Sequence, residues 1–230
     1  QERTGDALEI RTNISGKLRK KEKLMLNPEL TRNNYIILPK FIDERWANTL
    51  YKDLLYNGQR DENLNNDSSH DLYVGGNVYN AYKARPGQEL LYYMTPIITR
   101  IANENLFPTF SWMRLYKNGS ELKSHSDRPA CEISLTLHLG GDKPWDLIME
   151  RPSGNFQNIS LKNPGDAVLY LGCVATHSRR GPYEGENYGQ VFLHYVRSQG
   201  PLAFADGDLN KGEDLDYDWK STIKENYGQQ

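Results

Sequence analysis

Between residues 131 and 139 the chain alternates without a break. Cys131, Ile133, Leu135, Leu137 and Leu139 are apolar, while Glu132, Ser134, Thr136 and His138 are polar. A period of two puts these sets on opposite faces only in an extended strand. Similar short runs surround it, at 110–116, 145–149, 156–161, 167–171 and 189–196, and turn signals separate them: Asn118-Gly119, Gly140-Gly141, Pro152-Ser153-Gly154 and Asn163-Pro164-Gly165-Asp166. Strands recurring roughly every 8–12 residues between such turns point to an all-β barrel or sandwich.

The preceding residues read differently. Residues 35–38 form a short β-rich run closed by Pro39. Asp43 is placed to cap a helix through about residue 56, with Trp46, Leu50, Leu54 and Leu55 on one face and Asn57-Gly58 as its end. Residues 59–70 are polar and read as a loop. A second helix fits 87–105 along the stripe Leu90, Leu91, Met94, Ile97, Ile98 and Ile101, and Pro96 should kink or split it. The organisation expected is an arm at 1–33 with a basic run over 17–23, a domain at 34–205, and an acidic surface segment at 206–230. The fold class is α+β, helices packed on a barrel or sandwich.

Composition narrows the function. Hydrophobic residues make up 37% of the 230 and charged residues 25%, which is enough for a buried core. The net charge of −2 argues against a duplex-binding protein. No run approaches the roughly 18 apolar residues of a membrane span. The amino end has no apolar signal core, and two cysteines suit a reducing compartment, so a cytoplasmic location is expected.

Five histidines are present, and three residues among them and the acids share a pattern. In His125-Ser126-Asp127 an imidazole and a carboxylate lie two apart, on the same side of an extended chain. His177 follows fifty residues later, after the run at 167–171. Two histidines and one carboxylate on one side of a metal leave its other positions open, as a non-haem Fe(II) oxygenase requires. His-x-Asp alone is common by chance; the strand order around it gives it weight.

Residues 35–196 resemble the Fe(II)/2-oxoglutarate-dependent oxygenase superfamily, on its prolyl hydroxylase-like branch. The match rests on 113–119 (Met-Arg-Leu-Tyr-Lys-Asn-Gly), His125-Ser126-Asp127, 133–139, Pro164-Gly165-Asp166-Ala167, His177 and 190–195. The resemblance implies a double-stranded β-helix (jelly-roll) barrel with N-terminal supporting helices. It implies His125, Asp127 and His177 as iron ligands and as the catalytic centre, with 2-oxoglutarate, dioxygen and a reductant such as ascorbate as co-reactants. Tyr116 would touch 2-oxoglutarate, and Ser134, Thr136 and His138 would line the barrel. One position departs from the family pattern: Asn187 stands where a cation usually holds the distal carboxylate. Arg179 is the first replacement, followed by Arg180 and Arg197, because a buried carboxylate needs a positive partner. Arg128 and Trp145 are candidate substrate contacts; Cys131 and His194 are expected in the core and His70 in the loop. Retention of Asp127 favours hydroxylation or a desaturation-type outcome, on a peptide (prolyl-like) or a small amino-acid or metabolite. Two other classes remain in view: a cupin-like metal-binding jelly roll acting without 2-oxoglutarate, favoured by Asn187, and nucleic-acid demethylation, disfavoured by the charge.

Overall fold

The computed structural model describes residues 26–60, 72–208 and 218–227. The basic run at 17–23, most of the polar loop and His70 lie outside the described residues. Asn27 caps the first helix, α1 (Pro28–Asn33), its side chain accepting from the Glu29 amide at 2.8 Å. β1 (Tyr35–Leu38), α2 (Glu44–Arg60), β2 (Val74–Gly75), β3 (Val78–Tyr82) and α3 (Arg85–Ala102) follow. Then come β4 (Leu106–Lys117), β5 (Glu121–Leu122), β6 (Ile133–Gly141), β7 (Leu147–Glu150), β8 (Phe156–Ile159), β9 (Ala167–Leu171), β10 (His177–Arg179), β11 (Asn187–Arg197) and α4 (Trp219–Tyr227).

Six strands make one large antiparallel sheet in the order β1-β9-β6-β11-β4-β3, and β10-β7-β8 make a smaller one. The alternation of β6 accounts for the layering. Ile133, Leu135, Leu137 and Leu139 pack with Leu50 and Leu54 of α2 and with Leu90, Leu91, Met94 and Ile98 of α3. On the opposite side Val168 and Tyr170 of β9 meet Leu147, Met149 and Ile159 of the small sheet in a second cluster. One face of the large sheet therefore carries the helices, and the other, more polar face is partly covered by the small sheet.

The expected end of α2 and the expected split of α3 are corrected. Helix α2 continues past Asn57-Gly58 to Arg60. Gly58 is there for contact rather than as a stop: a Cβ on it would lie 2.7 Å from Leu115 Cδ2, so the missing side chain lets α2 lie against β4. Helix α3 runs unbroken through Pro96, because its buried stripe on both sides of the proline is held against the sheet. The segment from 206, expected at the surface, contributes to the interior. Ile223 of α4 is buried beside Phe110, Cys131 and Cys173, and the Tyr227 hydroxyl donates to Glu132 Oε1 at 2.9 Å.

Candidate metal centre

The chain brings its two distant histidines together through the backbone. The His125 amide donates to the His177 carbonyl at 3.0 Å, and the His177 amide returns a bond to His125 at 2.8 Å. This isolated two-residue bridge fixes the rings side by side, their centroids 4.3 Å apart. Each imidazole then engages a carbonyl through Nδ1, His125 with Lys123 at 2.8 Å and His177 with Ala175 at 2.9 Å. A carbonyl only accepts, so both rings carry their proton on Nδ1 and present a bare Nε2.

Asp127 occupies the third corner. Its Oδ1 lies 3.7 Å from Nε2 of His125 and 3.6 Å from Nε2 of His177. The other oxygen, Oδ2, accepts from the Ser134 hydroxyl at 3.1 Å. One ligand atom from each residue falls within 4.8 Å of the others. Imidazole nitrogen and carboxylate oxygen each bind a divalent ion at about 2.0–2.2 Å, so donors spaced like these have one ion within reach of all three. Burial pushes the His177 imidazole below its ordinary value and keeps it neutral, the form that ligates. Gly172 is part of this construction. Its carbonyl accepts from the Asp127 amide at 2.8 Å, and a Cβ on it would lie 2.4 Å from Asp127 Oδ2 and 2.2 Å from the Cys131 carbonyl.

A cavity of about 70 Å³ extends from the triad between the two sheets, with Arg114, Tyr116, Thr136, Arg179 and Gln190 in its wall. Arg179 is buried, its guanidinium 5.1 Å from the Trp145 ring and 4.9 Å from Tyr188. Nη1 donates to the Trp145 carbonyl and, at 3.4 Å, to the Tyr188 hydroxyl. Its Nε and Nη2 have no hydrogen-bond partner among the described residues. Such a cation calls for an anion.

The other sequence candidates divide. Tyr116 is fully buried in the same wall, its hydroxyl accepting from Arg114 Nη1 at 3.3 Å. Ser134 touches Asp127 and, at 2.9 Å, the His194 ring, but does not line the cavity. His138 lies outside the wall as well. It stacks on Tyr188 at 4.7 Å with Nδ1 unpartnered, and burial, reinforced by the Arg179 charge, lowers it to about 4. Arg180 is exposed and outside the cavity, because it follows inward-facing Arg179 on a strand. Arg197 pairs with Glu132 at 2.9 Å. Asn187 accepts from Lys117 Nζ at 2.8 Å. Trp145 packs against Arg179 without lining the cavity, and Arg128 lines an outer chamber.

Sequence reasoning missed Arg114, Gln190, Phe192 and Tyr170, all of which line the cavity. Their signal lies in strand pairing: Gln190 is opposite His138 and Arg114, Phe192 opposite Thr136 and Trp112, and Ser134 opposite Tyr170 and His194. Alternation within one strand fixes a face; only register says which residues of its neighbours share it.

No protein-family model matches the sequence, and no curated protein does. Solved structures do. A prolyl-4-hydroxylase from Pseudomonas putida superposes with a TM-score of 0.59 at 16% identity, over 74% of this chain and 96% of its own. A prolyl hydroxylase from Trichoplax adhaerens, in complex with a hypoxia inducible factor peptide fragment, gives 0.58 at 14%, over 75% and 87%. The epimerase SnoN in complex with Fe3+, alpha ketoglutarate and nogalamycin RO gives 0.59 at 12%, over 82% and 90%. This chain has the fold of the 2-oxoglutarate-dependent oxygenases, on their prolyl hydroxylase-like side. In this oxygenase fold, among the described residues, no helix is long and apolar enough to cross a membrane.

Proposed function

We propose that the chain is an Fe(II)- and 2-oxoglutarate-dependent oxygenase that hydroxylates a peptide (prolyl-like) or small-molecule substrate, with residues 34–205 as a double-stranded β-helix domain. Its catalytic centre is His125, Asp127 and His177. The observation that carries this reading is the juxtaposition of three convergent donors with a buried, half-partnered guanidinium at Arg179. When bound, iron and 2-oxoglutarate supply the oxidation, with dioxygen consumed and succinate and carbon dioxide released.

The chain's own residues do the rest. His125 and His177 offer Nε2 because their Nδ1 protons are engaged, and Asp127 offers Oδ1 because Ser134 holds Oδ2. Arg179 holds the distal carboxylate of 2-oxoglutarate through Nε and Nη2, replacing the cation that Asn187 cannot provide, and Tyr116 borders the co-substrate. Arg180, being exposed, has no part in this. Ascorbate serves as reductant, and the buried free thiols of Cys131 and Cys173 suit the cytoplasm. A cupin-like centre working without 2-oxoglutarate leaves the free donors of Arg179 unexplained.

Anaerobic protein given Fe(II) and then 2-oxoglutarate should develop the weak visible absorption of the chelate. Asp127→Ala should lose it through loss of metal, and Arg179→Met should weaken it with metal binding kept. Iron binding with no spectral or catalytic response to 2-oxoglutarate would overturn the proposal in favour of the cupin-like reading.

A further inference from the structure

Next to the inner cavity lies a second chamber of about 260 Å³, which shares Trp112, His125, Asp127 and His194 with it. Two of the triad residues, His125 and Asp127, stand at the junction, and His177 faces the inner cavity alone. If the inner cavity receives the co-substrate, the outer chamber receives the molecule to be oxidised; the inference rests on that reading. Its wall is aromatic. Tyr73 stacks on His125 with centroids 4.5 Å apart and planes 11° off parallel, while Phe110 and Trp112 meet edge-on at 6.4 Å.

The charge of this chamber is decided by one residue outside it. Apart from Asp127, the wall's charged side chain among the described residues is Arg128, which lies 4.5 Å over the Phe110 ring. Left alone, Arg128 would attract anions. Asp208 prevents this. Its carboxylate is completely buried at the end of the turn Ala203–Asp208, where it accepts from Arg128 Nη1 and from the Tyr82 hydroxyl. Lys83 stands 3.8 Å from the same carboxylate and outside the chamber wall. The Asp208 carboxyl is held below its usual range by these donors despite burial, so the pair is ionised and internally neutral.

We infer that the outer chamber is a charge-neutral aromatic box selecting an uncharged aromatic substrate, with Asp208 as the residue that sets this selectivity by cancelling Arg128. Phe110 is fully buried behind this wall, and the accessible rings, Trp112 and Tyr73, favour flat partners. With a divalent ion and the co-substrate held on the triad, where they meet the charge of Asp127, both a carboxylate and an ammonium would lose hydration without gaining a free partner.

Three probes with one ring system test it: 2-naphthalenemethanol (neutral), 2-naphthoate (anionic) and 2-naphthylmethylamine (cationic), titrated by saturation-transfer NMR into protein saturated with Zn(II) and 2-oxoglutarate, so that the charge of Asp127 in the wall is met. The alcohol should bind at least tenfold tighter than either ion, and Trp112→Ala should remove that binding. In Asp208→Asn the released Arg128 should raise naphthoate affinity at least tenfold. Equal binding of the three, preference for an ion, or no response to Trp112→Ala overturns the inference, and none of these needs the Asp208 variant to fold. Binding of acetyl-Pro-Pro-Gly-amide where the alcohol does not bind also overturns it, in favour of a peptide substrate. The Fe(II)/2-oxoglutarate chelate is measured in parallel. A normal chelate with no ring binding sinks the aromatic box alone, whereas ring binding with the expected charge preference and no chelate upholds the box and sinks the oxygenase reading.

Discussion

A carboxylate can face two imidazoles with one oxygen only if something holds the other, and Ser134 does this for Asp127. The hydroxyl is a modest group with a directional role, since a freely rotating Asp127 would spend part of its time with neither oxygen aimed at the two imidazoles. Removing such an outer partner typically weakens a metal site by about 10- to 100-fold. Ser134→Ala should therefore lower Fe(II) or Ni(II) affinity by that factor in an equilibrium titration while leaving the fold intact; an unchanged affinity would show that Asp127 is held by other means. Arg179 offers a complementary prediction on the co-substrate side. Truncating one partner of a buried charge pair commonly costs about 2–5 kcal/mol, so Arg179→Met should raise the 2-oxoglutarate dissociation constant by roughly 30-fold or more. Metal affinity should stay the same, which separates this residue from the ligands.

At the scale of elements, the centre depends on how closely β6, β9 and the loops after them approach one another. Gly172 marks the tightest point: a methyl group there would press on the Cys131 carbonyl, Asp127 Oδ2 and Ser134 Oγ at once. Gly172→Ala should shift Asp127 away from the histidines and reduce metal affinity more than Ser134→Ala does, in the same titration. Equal or smaller loss would show that the neighbouring backbone yields. The same elements explain what the sequence could reveal. β9 was legible to the residue at 167–171, and β6 to within two residues, because their alternation or apolar continuity is local. The pairing of the candidate ligands His125 and Asp127 was legible too, since they lie two apart on an extended chain. By contrast, Gly58 reads as a helix stop and acts as a contact surface, because its neighbour Leu115 is 57 positions away in sequence. Arg114 and Gln190 were invisible for a related reason: their membership of the cavity wall follows from β4–β11–β6 register, which no single segment encodes. Helix α4 was hidden because its apolar stripe is only three residues long, Trp219, Ile223 and Tyr227 at intervals of four in a polar, acidic stretch.

Across the whole molecule, the large sheet separates two kinds of interior. Its helix side is apolar and close-packed, and its other side buries the ionisable and polar groups Arg114, His138, Arg179, Gln190 and His194. Such a layout lets the helical layer supply stability while the opposite face carries groups that weaken it. The effect is measurable at His138. Its ordinary value near 6.5 falls to about 4 in the folded protein, chiefly through burial and then through the Arg179 charge. A depressed histidine stays neutral when folded, so as pH falls below 6.5 the unfolded chain takes up a proton that the folded chain refuses. Stability is complete above about 6.5 and declines down to about 4, at roughly 1.4 kcal/mol per pH unit from this one group. Below about 4 both states are protonated and the decline from His138 ceases. Urea unfolding of the metal-free protein at pH 7.5, 6 and 5 should show this loss, and His138→Gln should reduce it. His194, also lowered to about 4 by burial, is present in both proteins and drops out of the comparison. Parallel pH dependences for wild type and His138→Gln would mean that the ring takes up its proton in the folded state, through solvent access or a shift of Arg179, and that this face of the sheet is less closed than its geometry implies.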